Sequence, residues 1–182
     1  MITKDIKKII NSLENQEIVS IPTDTVYGLS CMINKAAVQN LIKLKQRDCS
    51  KGFIIISANP EYLLDYVDTS KLDNHHIDKL VSKTTEPTTW IVPAKESIKW
   101  LTGDRDTLAI RLVQTQVLKT ITNTLEDVII STSANISGLE PCRNIKDINK
   151  TFPTIQVLEC TSTSKNSKPS RIINLLNEKQ LR

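Results

Sequence analysis

The sequence predicts an α/β fold with a mixed, partly parallel sheet, and three observations carry that prediction. Short β-branched runs alternate along the chain with stretches whose apolar residues recur at helical spacing. Several of those strand runs pass directly into clusters of small hydroxyl, amide or basic residues, the chemistry that α/β folds gather at the rim of a sheet. The length of 182 residues suits one domain, 1–182, with a core that needs no cross-links.

Composition narrows the class. Apolar residues make up 39% of the chain and charged residues 24%, the balance of an ordinary soluble protein. No window is long and apolar enough for a membrane span, so no membrane partner is expected. The start, Met1-Ile-Thr-Lys-Asp-Ile-Lys-Lys, lacks the apolar centre of a signal peptide. Cysteines at 31, 49, 142 and 160 are scattered without CxxC spacing, and only two histidines accompany them. That pattern argues against zinc and for a reducing, cytoplasmic setting. A net charge of +4 permits an anionic ligand or RNA without requiring either.

Taken in order, Thr3 is placed to cap a first helix whose face is Ile6, Ile9, Ile10 and Leu13. Glu17 to Ile21 reads as a strand stopped by Pro22, with Thr23-Asp-Thr25 following it. Ala36 to Leu44 is helical, with Val38, Leu41 and Ile42 inward, and runs out into Lys45-Gln-Arg-Asp-Cys-Ser-Lys51. Gly52 opens the strand Phe53 to Ile56, and Asn59-Pro60 starts a helix striped by Leu63, Leu64 and Val67. A short helix is expected around His76 to Val81, then strands at Thr88 to Val92 and Leu108 to Val113. Gln116 to Leu125 is helical, Val128 to Ile130 is a buried strand, and Asn144 to Lys150 makes a helical turn or two. Ile155 to Leu158 and Ile172 to Leu176 are the last strands, and the polar, breaker-rich residues 160–170 between them form a flexible loop.

Four polar groups could carry chemistry. Ser131, Ser133 and Asn135 end a core strand, where they are either a capping turn or the rim of a ligand site. Thr23 and Thr25 form a second such cluster. Lys45, Arg47 and Lys51 follow a helix, where basic residues commonly just face the helix dipole and water. On a continuing helix Lys45 and Arg47 would diverge by about 200°, so they converge on one anion only if the helix has ended. Arg111 sits among apolar residues on a strand, so it is either exposed or faces a carboxylate or phosphate. There is no Walker loop, GxGxxG, or Ser–His–Asp or Cys–His pattern, so any catalysis rests on positioning and charge. The cysteines read as inert.

Several stretches then occur in a telling order: Pro22-Thr-Asp-Thr-Val-Tyr-Gly28, Leu44-Lys-Gln-Arg47 with Lys51-Gly52, Trp90-Ile-Val-Pro-Ala94, Trp100-Leu-Thr-Gly103, Leu108-Ala-Ile-Arg111 and Ser131-Thr-Ser-Ala-Asn-Ile-Ser-Gly138. Pro141-Cys-Arg143 and Pro169-Ser170 follow. The series closely resembles the YrdC/Sua5 family over nearly the whole chain, most specifically in the KxR at Lys45/Arg47 and the SxN at Ser133/Asn135. The resemblance implies a twisted α/β sheet curled around a large basic cavity, without the additional C-terminal domain of the longer Sua5 type.

It implies, too, that L-threonine, bicarbonate or CO2, and ATP are joined into threonylcarbamoyl-adenylate with release of pyrophosphate, towards t6A37 of tRNAs reading ANN codons. On matching positions it makes Lys45 and Arg47 catalytic. ATP would be bound by Lys45, Arg47, Lys51, Thr89, Ser131, Ser133, Asn135, Arg143 and Ser170, and threonine by Thr23, Thr25, Arg111 and Ser133. Lys45 and Arg47 are expected on a loop facing the cavity. Mg2+ is expected on the ATP phosphates, with no side-chain ligands. The TsaD, TsaB and TsaE transfer machinery is the expected downstream partner, with tRNA or double-stranded RNA as a further one.

Two departures from the family pattern stand out. Thr85-Glu-Pro87 puts Glu86 where relatives carry the glycine of Pro-Gly-Pro, and Asn166 stands where relatives carry an arginine, with Lys165, Lys168 or Arg171 as substitutes. The alternative function is a non-catalytic module that holds tRNA or double-stranded RNA, against which two Phe and three Tyr leave little for base stacking.

Overall fold

The computed structural model describes residues 1–48, 52–160 and 169–182. It opens with β1 (Ile2–Thr3) and α1 (Ile6–Glu14), whose Ile9, Ile10 and Leu13 are buried on one face. Asp5, not Thr3, caps that helix by accepting from Lys7 N at 2.9 Å. Thr3 belongs instead to β1, a two-residue strand too short to carry a period-2 signal. Next come β2 (Val19–Pro22), β3 (Tyr27–Met32) and α2 (Lys35–Lys45), the last capped by Asn34. Then follow β4 (Ile54–Ser57), α3 (Pro60–Leu64), α4 (Asn74–Val81), β5 (Thr88–Pro93), α5 (Lys99–Thr102), β6 (Thr107–Leu112) and α6 (Gln116–Leu125). The chain closes with β7 (Ile129–Ser133), α7 (Ile145–Thr151), β8 (Gln156–Leu158) and β9 (Arg171–Asn174).

These elements make an α/β fold with mixed strand pairing and flanking helices, divided into two compact units. The first unit is Met1–Lys51 with Ile129–Ser167. In it β1 runs parallel to β8, β8 parallel to β2, β2 antiparallel to β3 and β3 antiparallel to β7. Strand β3 has no counterpart among the strands expected from the sequence. Tyr27-Gly-Leu-Ser-Cys-Met lies between β2 and β7 and its four middle residues are all buried, so it shows no alternation of apolar and polar residues. The α1 residues Ile9 and Leu13 are fully buried, each contributing roughly 1.5–3 kcal/mol.

The second unit is Gly52–Val128 with Lys168–Arg182. Here β4 runs parallel to β6, β6 antiparallel to β5, and β5 parallel to β9. Asn59 caps α3 just ahead of Pro60, and Thr115 caps α6, as turn chemistry and helical spacing predict. Asp73 caps α4 in a reciprocal pair with His76, which gives that histidine its role. Among the described residues no helix is long and apolar enough to cross a membrane.

Candidate active site

The first unit carries most of the expected site residues: Thr23 and Thr25 on the turn after β2, Lys45 at the end of α2 with Arg47 just after it, and Ser131, Ser133 and Asn135 along and just after β7. In the turn, Thr23 Oγ1 donates to Val26 O at 2.8 Å, accepts from Thr25 N at 3.2 Å and lies 3.1 Å from Thr25 Oγ1. Both threonines are buried. Their hydroxyls therefore shape the β2–β3 turn first, and any ligand meets them as part of that turn.

Helix α2 ends at Lys45. Gln46 takes a left-handed conformation (φ 50) and Arg47 N returns to Ile42 O at 3.0 Å, so Lys45 and Arg47 leave the helical screw between them. Lys45 is not on an exposed loop, contrary to the sequence expectation. It is the last helical residue and only 1% exposed. Its ammonium donates to Ser133 O at 2.6 Å, Asn135 O at 2.7 Å and Asn135 Oδ1 at 3.0 Å. An ammonium has three protons, and these acceptors match them one for one.

The two motif segments are thus physically joined. Asn135 Oδ1 also accepts from Ser133 Oγ at 2.6 Å, while Asn135 Nδ2 donates to Leu139 O at 2.6 Å. Lys45 fixes the posture of Ser133 and Asn135, and its three protons are all engaged there. Burial, then the neighbouring Arg47, lowers its pKa to about 8. Arg47 itself is half-buried on the following loop.

Ser131 lies in β7 opposite Ser30 and is buried, and its hydroxyl occupies the space above Gly28. A Cβ on Gly28 would stand 2.5 Å from Ser131 Oγ and 3.2 Å from Thr132 O. Gly28→Ala should therefore displace the Ser131 hydroxyl and cost about 1–3 kcal/mol, read by urea denaturation. Unchanged stability and unchanged substrate dependence would show that Ser131 repacks freely. Arg143 is exposed, one residue before the Asn144 cap of α7.

In the second unit, Thr89 of β5 and Ser170 just before β9 share a hydroxyl pair at 2.8 Å, and both are buried. Arg111 is 6% exposed on β6, which excludes the exposed reading left open by the sequence. Burial and the nearby Arg182 bring its pKa to about 10, so it stays charged at neutral pH. A buried guanidinium on a strand suits a planar anion such as a carboxylate.

The Glu86 departure has a partner. Its carboxylate lies 3.1 Å from Arg171 Nε, and Arg171 Nη2 donates to Thr88 Oγ1 at 3.3 Å. Arg171 is thereby paired with Glu86. Lys51, Lys165, Asn166 and Lys168 lie outside the described residues, as do Cys49 and most of the 160–170 loop.

Sequence reasoning missed Arg182, which donates to Ser170 O from Nε at 3.3 Å and Nη2 at 3.2 Å. Nothing in its surroundings in the sequence marks it. Cys31 is buried with its thiol pushed up to about 12, which agrees with an inert cysteine. Among the described residues no three His, Cys, Asp or Glu side chains gather as a metal site. A groove of about 600 Å³ in the first unit, lined by Met1, Glu17, Lys43 and Gln156 among others, contains none of the expected site residues.

The model of the family Sua5/YciO/YrdC, described as "Telomere recombination", matches residues 11–182. The chain belongs to the Sua5/YciO/YrdC family. A Threonylcarbamoyl-AMP synthase of Wigglesworthia glossinidia brevipalpis is 37% identical over 181 residues, which is 98% of this chain and 93% of that protein. One of Yersinia enterocolitica is 35% identical over 176 residues, 96% of this chain and 93% of that protein. Among solved structures, P. abyssi Sua5 complexed with L-threonine has a TM-score of 0.81 at 24% identity, covering 93% of this chain and 50% of that one. E. coli YciO has a TM-score of 0.81 at 19% identity, covering 97% and 86%. At those identities the two structures support the Sua5/YciO/YrdC fold.

Proposed function

We infer that this chain is a threonylcarbamoyl-AMP synthase, a nucleotidyltransferase that makes L-threonylcarbamoyladenylate from L-threonine, bicarbonate or CO2, and ATP, with release of pyrophosphate. The observation that carries this reading is the grip of the Lys45 ammonium on Ser133 and Asn135, which unites the family's two most specific motifs. Full-length likeness to synthases supports it at the level of the reaction. The RNA-binding alternative is not favoured.

In this reading the threonine amine captures CO2 or bicarbonate, and a carbamate oxygen attacks the α-phosphorus of ATP as pyrophosphate leaves. Both reactants are anions, so the main help comes from fixed positive charge and aligned donors. Lys45 and Arg47 supply charge beside the phosphates and the carbamate. Lys51, Thr89, Ser131, Ser133, Asn135, Arg143 and Ser170 serve the nucleotide. Thr23, Thr25 and Ser133 border threonine, and Arg111 takes its carboxylate. Mg2+ arrives with the ATP phosphates. The product would pass in the cytoplasm to a TsaD, TsaB and TsaE transfer machinery for t6A37 formation on tRNA.

The test is pyrophosphate release from ATP with threonine and bicarbonate omitted in turn. Release that needs both, with serine a poor replacement, is the expected result. Release indifferent to threonine would overturn the assignment.

A further inference from the structure

Residues 179–182 fold back along β9. Asn174 N donates to Lys179 O at 2.9 Å, Leu181 N to Ile172 O at 2.7 Å and Ile172 N to Arg182 O at 3.1 Å, with Ile173 bridged to Gln180. These backbone bonds fix Arg182 opposite Ile172, two residues beyond Ser170. They need nothing from the arginine side chain. That side chain nevertheless places two guanidinium donors on the single carbonyl of Ser170, holding a long, rotamer-rich group in one posture. Ser170 in turn holds Thr89 through the buried hydroxyl pair, in a segment that also carries the Arg171 N to Pro87 O bond at 2.9 Å.

We propose that Arg182 is a positioning residue for ATP: by holding the Ser170 carbonyl it sets the Thr89–Ser170 hydroxyl pair and the backbone that presents them. The proposal rests on the synthase reading, which gives Ser170 to the nucleotide. Arg182 also adds a second guanidinium charge next to Arg111, near enough to depress its proton affinity. Two like charges side by side favour an anion over a neutral ligand. The clamp and the charge make different predictions. The clamp needs the guanidinium fork, and the charge needs only a cation.

The experiment uses the full chain, with pyrophosphate release measured against ATP and against threonine for wild type, Arg182→Met and Arg182→Lys. Arg182→Met should raise KM for ATP about tenfold, the size of one charge-assisted hydrogen bond, with kcat within about threefold of wild type. The melting temperature should hold within a few degrees, because the backbone ladder does not depend on the side chain. Arg182→Lys should keep the raised KM for ATP while leaving KM for threonine at the wild-type value. An unchanged KM for ATP in both variants would overturn the proposal. So would an equal loss in every parameter together with a lowered melting temperature, which marks a merely structural residue. If wild type shows no threonine-dependent release, the synthase reading fails instead. Calorimetric binding of ATP alone then decides the Arg182 proposal, which needs the same tenfold weakening in Arg182→Met.

Discussion

Lys45→Met should abolish turnover and destabilise the first unit together. The substitution keeps the aliphatic stem but strips Ser133 O, Asn135 O and Asn135 Oδ1 of their donor. Leaving several acceptors partly unsatisfied, set against the relief of burying no charge, should cost about 3 kcal/mol and roughly 6–12 °C in melting temperature. Turnover should fall at least about a hundredfold through lost charge and a displaced Ser133–Asn135 segment. Arg47→Ala should separate the two effects. Arg47 is half-buried after the helix has ended, so turnover should be lost while stability changes by less than about 1 kcal/mol. Equal destabilisation by both variants, seen in urea melts, would show that the basic pair is structural.

Lys45 also sets a pH signature. Its pKa is about 8 in the fold against an ordinary value of 10.5, so its charge is lost as pH rises through about 8. Turnover should decline on that limb. The stability limb runs the other way. Between about 8 and 10.5 the unfolded chain binds more protons at this residue, so its contribution to stability rises with pH across that window. A pH–rate profile flat from 7 to about 9 would refute a role for the Lys45 charge.

Arg111→Met, at a buried strand position opposite Ile56, should raise the threonine requirement about a hundredfold through loss of a buried charge-assisted contact. Arg111→Lys should not rescue it, since a point charge cannot replace the fork. A threonine KM unchanged in Arg111→Met would remove Arg111 from the substrate site.

The longer helices were the most legible part of the fold because their apolar period is local, whereas the four-residue α5 and the Asp5 cap of α1 were not foreseen. The α6 helix is delimited by Thr115 and an apolar stripe, and α3 by Asn59-Pro60. The sheet was harder to read wherever it is buried on both faces. β3 contains Gly28 and Ser30, residues that suggest a turn, and only its pairing with β2 and β7 makes it a strand. At the site, residue types and order pointed to Lys45, Ser133 and Asn135. That the ammonium is spent on the loop could not be read, because it depends on a contact across 88 positions. Arg182 carries no motif, and its contact with Ser170 12 positions away depends on the chain folding back along β9, while the ion pair of Glu86 with Arg171 joins residues far apart in the chain.

That 88-residue separation has a consequence for how the protein is made. Lys45 leaves the ribosome well before Ser133 and Asn135, by roughly 4–18 s at ordinary rates of synthesis. Throughout that interval α2 can coil and dock while the lysine at its end has none of its eventual acceptors. β7 and β8 are needed to finish the sheet of the first unit, and they too come late. The nascent chain therefore carries an incomplete sheet in the first unit until β7 and β8 have emerged. The cluster of Lys45, Ser133 and Asn135 is completed only when the later of its residues reach the earlier one.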